Sequence, residues 1–166
     1  MTAPMTVPIT APTTAAMTPP LLDHAGIAER IPHSGAMCLL DRVDAWDADH
    51  LVCSARSHCD AANPLRSRSG LLASCAIEYA AQAMALHGAL TGADAGSVAT
   101  PGYLASARGV RLHRLRLDDL DGDLQIEAVR QAGDTTQILY SFSVTHAGAP
   151  LADGRATVVL DTPLAS

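Results

Sequence analysis

The chain has 166 residues, 48% of them apolar, which is enough for one globular domain with a core of its own. Its formal net charge of -6 argues against a general nucleic-acid binder, which needs a strongly basic surface. There is no lysine, and six of the arginines sit in two short stretches, RSR (66–68) and RGVRLHRLR (108–116), so local positive patches can persist on an acidic protein.

Residues 1–20, MTAPMTVPITAPTTAAMTPP, hold no charge and are rich in threonine and proline. They lack the basic start and unbroken apolar centre of a signal peptide and the arginines of a transit peptide. This composition reads as a disordered leader, which leaves 21–166 as a single domain. LLDHAGIAERIPHSG then has room for one helical turn, ended by the Ile31–Pro32 step. MCLLDRVDAWDADHLVCSARSH reads as two extended segments around a turn at Asp47 to Asp49. DAANPLRSRSG is a polar loop broken by Pro64 and Gly70, and Ser69 stands where it can cap a following helix over Leu71 to Leu90, which GALTGADAG ends.

Beyond the helix, GYLASARGVRLHRLRL, GDLQIEAVRQAG, TTQILYSFSVTHAG and PLADGRATVVLD alternate or are enriched in β-branched residues, which predicts four strands. The expected order is a hairpin, one long buried helix and a meander. An α+β architecture, with an antiparallel sheet curled around the helix, buries the most surface with these parts.

Cys38, Cys53, Cys59 and Cys75 form no C-x-x-C pair and no zinc-type spacing, so they read as free thiols in a reducing compartment. The apolar run from Leu71 to Leu90 is broken by Glu78, Gln82 and His87. No membrane span is therefore predicted, and a cytoplasmic location is expected.

Within that run Glu78 is the single acid. An acid in an apolar helix is expected either to have a partner or to be pressed into holding a proton. Arg42 is the obvious partner if the role is structural. Gln82, one turn on, shares the face of Glu78 and can orient its carboxylate. His58, Cys59 and Asp60 are capable metal ligands. Neighbours on a strand point to opposite faces, however, so no metal site is expected there. The arginines of RGVRLHRLR have two readings, a solvated edge or a dock for an acidic carrier protein or a pantetheine phosphate.

IPHSGAMCLLDRV (31–43) and GLLASCAIEYAAQAMALHG (70–88) together resemble the hot-dog-fold 3-hydroxyacyl-acyl-carrier-protein dehydratases. In that family a Pro-His pair precedes an apolar strand ending in Asp-Arg-Val, and the catalytic acid of the central helix lies a few residues before Ala-Gln. The form Ile-Glu-Tyr-x-x-Gln most resembles the ApeP-like dehydratases of aryl polyene clusters. The resemblance spans about Ile31 to Asp161 and implies a dimer of hot-dog subunits, with no metal or redox cofactor.

The resemblance also implies site roles. Glu78 would be the general acid, and His33, of the Pro-His pair, the base. Gln82 and the backbone of Gly70, Leu72 and Ala73 would serve substrate binding, the last three as N–H donors at the helix start. The best-known members carry their histidine in a His-Phe-x-Gly loop whose place here is Pro64, so His58 stays open beside His33. In the resembling family histidine and acid come from different subunits.

The expected activity is dehydration of 3-hydroxyacyl thioesters on acyl carrier protein, in fatty-acid-like or aryl polyene biosynthesis. The alternatives are an acyl thioesterase on the same fold and a non-catalytic partner subunit of an active dehydratase.

Overall fold

The computed structural model describes residues 21–96 and 101–160, so the expectation for the leader lies outside the described residues. Strand β1 (Leu22–Asp23) leads into helix α1 (His24–Ala28), where the Asp23 carboxylate caps the helix by accepting the Gly26 N–H at 2.9 Å. Strands β2 (Arg42–Trp46) and β3 (His50–Ala55) form the predicted hairpin. Its turn is set by the Asp47 side chain, which accepts the Asp49 N–H at 2.9 Å, an Asx turn that suits this residue type.

The long helix begins later than predicted. Leu71 and Leu72 are extended and bridge the 115–117 segment: the Leu117 N–H donates to the Leu71 carbonyl, and the Ala73 N–H to the Leu115 carbonyl, both at 2.9 Å. A 3-10 turn (Ala73–Cys75) follows, and α2 runs Ala76–Asp94 with Cys75, not Ser69, at its N-cap. The isolated bridge to a distant segment outweighs the good helix propensity of the two leucines.

Four strands complete the sheet: β4 (Gly102–Leu112), β5 (Leu124–Gly133), β6 (Gln137–His146) and β7 (Ala149–Leu160). All pairings are antiparallel, in the order β1-β2-β3-β5-β6-β7-β4. The expected meander therefore holds for β5 to β7 only. Helix α2 touches strands from β3 to β4 on its way across the sheet and delivers the chain to the far edge. There β4 pairs with β7, and residues 113–123 return the chain to β5 beside β3. Register shifts in β2, β4, β5 and β7 bend the strands, as bulges do. In β4 the shift between Arg108 and Arg111 contains Gly109 at φ +60°, the left-handed region that glycine enters without penalty.

The concave face carries the core. Leu51 and Cys53 of β3, Leu124, Ile126 and Ala128 of β5, Tyr140 and Val144 of β6, and Ala156 of β7 are all buried against α2 and its surroundings. The helix answers with Tyr79, Ala80, Ala83, Met84 and Leu86, also buried. Each large side chain so enclosed is worth about 1.5–3 kcal/mol, and the alanines allow the helix close to the sheet. This is an antiparallel sheet wrapped around one long helix, the architecture expected from the sequence.

Candidate active site

Glu78 sits in the first turn of α2, where the positive end of the helix dipole favours a carboxylate. Its side chain keeps 32% of its exposure, so the premise of a fully buried acid does not hold. Nor is Arg42 its partner: that guanidinium binds Asp44 at 2.9 Å and Asp123 at 2.7 Å. The partners of Glu78 are His33, with Nε2 3.2 Å from its Oε1, and Gln82, whose Nε2 donates to the same oxygen at 3.0 Å.

Gln82 is completely buried. Its amide nitrogen also donates to the Met37 carbonyl at 2.7 Å, and its Oε1 accepts the Leu39 N–H at 2.9 Å. One side chain thus pins the Glu78 carboxylate to the 37–39 segment. Because Gln82 is enclosed and fully engaged, it positions the acid and offers no surface to a substrate, a correction to its expected binding role.

His33 follows the Ile31–Pro32 step, which the sequence predicts to end the first helical turn, although α1 has already ended at Ala28 with Glu29 as its C-cap. Its Nδ1 is enclosed and meets no protein partner, while Nε2 faces the acid. This contact of histidine with carboxylate lies within one chain.

Of the N–H donors predicted at the helix start, those of Gly70 and Ala73 are already engaged. The Gly70 N–H donates to the Ser67 carbonyl at 3.0 Å and that of Ala73 to Leu115. Gly70 is left-handed (φ +92°), and a Cβ on it would meet the Arg116 guanidinium at 2.1 Å, so its place is structural. Of Gly70, Leu72 and Ala73, none lines the cavity beside His33.

That cavity, of about 490 Å³, opens from His33 along α2 toward the β4 edge and is bounded by Ala85 and Gly88 of the helix, Tyr103 of β4, and Tyr140 and Val158 of the sheet. The Tyr140 hydroxyl is turned to His87 Nδ1 at 2.9 Å, and His87 Nε2 lies 2.9 Å from the Asp47 carbonyl. A carbonyl only accepts, so Nε2 carries the hydrogen and Nδ1 accepts from the tyrosine. Burial pushes the His87 pKa down. Sequence reasoning found no cavity residue beyond His33. The available signal was the recurrence of small residues at Ala81, Ala85 and Gly88, which share one face of a helix.

His58 lies in a 3-10 turn (Ser57–Cys59) rather than on a strand, and it is fully buried. Burial pushes its pKa down. Its Nε2 is 3.3 Å from Cys59 Sγ, so the argument from strand alternation fails for this pair. Even so, among the described residues no group of three or more His, Cys, Asp or Glu could hold a metal ion. The four cysteines are free. Arg111 binds Asp153 at 2.7 Å and Arg114 binds Asp119 at 3.0 Å. Arg116 and Arg66 share Asp118, at 2.8 and 2.6 Å. The Arg116 guanidinium holds the Asp118 carboxyl down at about 2.

The family model for ApeP-like proteins, described as ApeP dehydratase, matches residues 25–165. The chain belongs to the ApeP-like dehydratase family. Dehydration is the activity that this membership assigns. Among solved structures, the dehydratase heterocomplex ApeI:P from Xenorhabdus doucetiae is similar at a TM-score of 0.73 and 21% identity, covering 82% of this chain and 91% of that one. AziG from S. sahachiroi follows at a TM-score of 0.56 and 17% identity, over 75% and 91% of the two chains. A hypothetical thioesterase protein with coenzyme A from Streptococcus pneumoniae stands at 0.50 and 13%, over 72% and 84%. At these identities the likeness shows the hot-dog fold alone. No curated protein matches the sequence. Among the described residues, no helix is long and apolar enough to cross a membrane.

Proposed function

We propose that the chain dehydrates 3-hydroxyacyl thioesters carried by acyl carrier protein, in fatty-acid-like or aryl polyene biosynthesis, with His33 as base and Glu78 as acid. The observation that carries the reading is the contact of His33 Nε2 with Glu78 Oε1 at 3.2 Å, His33 itself lining the cavity. Dehydration takes a proton from the carbon alpha to the thioester and expels the beta hydroxyl. His33 Nε2 accepts the first proton, since Nδ1 is enclosed. The proton passes across the His33–Glu78 contact, and Glu78 delivers it to the departing oxygen, which leaves as water and returns the pair to its starting state. No electron acceptor or metal is needed to balance these steps.

The acyl chain, in this reading, lies in the apolar cavity, whose volume falls in the range usual for small-molecule sites. Gln82 holds the Glu78 carboxylate in place, so it is a positioning residue.

The test incubates purified protein with 3-hydroxyacyl carrier protein and follows loss of water by mass, with free thiol measured in parallel. Water loss that disappears in Glu78→Gln and His33→Ala is the expected result. Thiol release without water loss would establish the thioesterase alternative. A silent protein that raises the activity of an added hot-dog subunit would establish the non-catalytic partner.

A further inference from the structure

Glycine is, after proline, the poorest residue in a helix interior, yet Gly88 stands inside α2 (Ala76–Asp94). Two structural reasons commonly keep it there. One is left-handed backbone, and Gly88 has none. The other is a neighbour that a Cβ would strike, but a Cβ built at Gly88 meets nothing within 4 Å. What Gly88 does is line the cavity that begins at His33.

We infer that Gly88 determines how long an acyl chain the enzyme accepts, by keeping open the distal part of that cavity. The inference rests on the dehydratase reading for the nature of its occupant. Gly88 lies ten residues beyond Glu78, about 15 Å along the helix axis, so a chain anchored at the acid runs along α2 before reaching it. The distal walls are apolar: Ala85 and Ala89 on the helix, Ile138, Val158 and Leu160 on the sheet. The charged residues of the lining, Glu29 and Arg30, belong to the segment that carries His33, and the Tyr140 hydroxyl is engaged by His87. A methylene chain therefore meets hydrocarbon and ring faces.

A helix from a second subunit is the other candidate occupant. Helices are about 10–12 Å across, so roughly one turn would fill 490 Å³. The sheet's concave-face residues form one wall of the cavity, and a narrow chain reaches them where a helix does not.

The experiment uses the full chain and saturated acyl-pantetheine thioesters from butyryl to dodecanoyl, which lack the 3-hydroxyl and so report binding without chemistry. For the parent, calorimetry should show affinity rising by up to about fourfold per added methylene. In Gly88→Leu the rise should stop at a shorter chain, with the dodecanoyl-to-butyryl affinity ratio lowered about tenfold or more. Gly88→Ala, a better helix former, should shift the ratio in the same direction by less, and it secures the test if the leucine variant fails to fold. An unchanged ratio in both variants, or a parent whose affinity ignores chain length, overturns the inference. So does a change in oligomeric mass in Gly88→Leu with the length dependence intact, which would assign the surface to a second subunit. A parent that binds by length but never releases water sinks the dehydratase reading and leaves the role of Gly88 standing.

Discussion

Replacing Gln82 with leucine keeps the approximate size of the side chain and removes three hydrogen bonds. The bond to Glu78 (3.0 Å) ends at a group 32% exposed, where water substitutes at little cost. The other two point inward. The Leu39 N–H (2.9 Å) is buried, and the Met37 carbonyl (2.7 Å) is partly so. A buried polar group left unmatched costs about 1–3 kcal/mol, and the partly buried carbonyl costs less. Leucine returns part of this through its own apolar burial, so the net destabilisation should be about 2–3 kcal/mol, a large share of the ~5–15 kcal/mol that holds a domain of this size. Urea unfolding measures it as a lower midpoint at constant slope. A loss under about 0.5 kcal/mol would show that the buried amide does not hold the 37–39 segment. The same variant should lower kcat about ten- to a hundredfold, because Glu78 loses its fixed donor, while KM moves less. A purely structural glutamine would leave kcat of the folded fraction unchanged.

Glu78→Gln should leave the fold intact and cost dehydration about a hundredfold or more, and His33→Ala should cost a comparable factor. His58→Ala should keep the rate within about threefold and instead lower the unfolding midpoint through the cavity it leaves; equal kinetic losses at both histidines would reopen His58 as the base. Burial pushes both His58 and His87 down, so the folded state binds fewer protons than the unfolded chain, and stability should fall as pH drops below about 6.5. Urea midpoints at pH 7.5 and 5.5 check this, and a flat or rising midpoint on acidification contradicts it. Asp118, held at about 2, contributes stability that is present above its unfolded value and is lost as pH falls from about 4 toward 2. Asp118→Asn should accordingly flatten the acid limb of the stability curve relative to the parent.

The strands were legible because each exposes one face and buries the other: Leu124, Ile126 and Ala128 in β5 alternate with more exposed neighbours. The place of β4 was not, since pairing with β7 rather than β5 depends on where α2 delivers the chain. Leu71 and Leu72 have good helix propensity, and the bridge to the distant 115–117 segment keeps them out of the helix. At the site, Glu78 drew notice as the lone acid of an apolar run, and Gln82 as its neighbour one turn on. The reach of Gln82 to Met37 and Leu39 crosses more than forty residues of sequence, and no spacing rule carries that. Arg42 was a reasonable partner by charge alone, but β2 places it beside Asp44 and Asp123. Gly88 was read as part of a stop signal, although the helix continues past it to Asp94.

His33 and Glu78 meet within one chain, so the acid-base pair proposed above does not itself call for a second hot-dog subunit. What it would add follows from the sheet order. Strand β4 ends the sheet, and among the described residues it pairs only with β7. Its outer edge offers unpaired backbone groups, a liability that proteins cover, and Tyr103, 56% exposed there, also lines the cavity. A subunit docked on β4 would therefore close the cavity side and leave the His33–Glu78 contact as it is. Dilution distinguishes the two contributions. If assembly closes the cavity, KM for long 3-hydroxyacyl chains should rise as the complex dissociates, while 3-hydroxybutyryl substrates keep their kcat and sedimentation reports the loss of mass. Should kcat for 3-hydroxybutyryl substrates collapse in step with the mass, the partner supplies a reacting group, and the one-chain acid-base pair proposed above is incomplete.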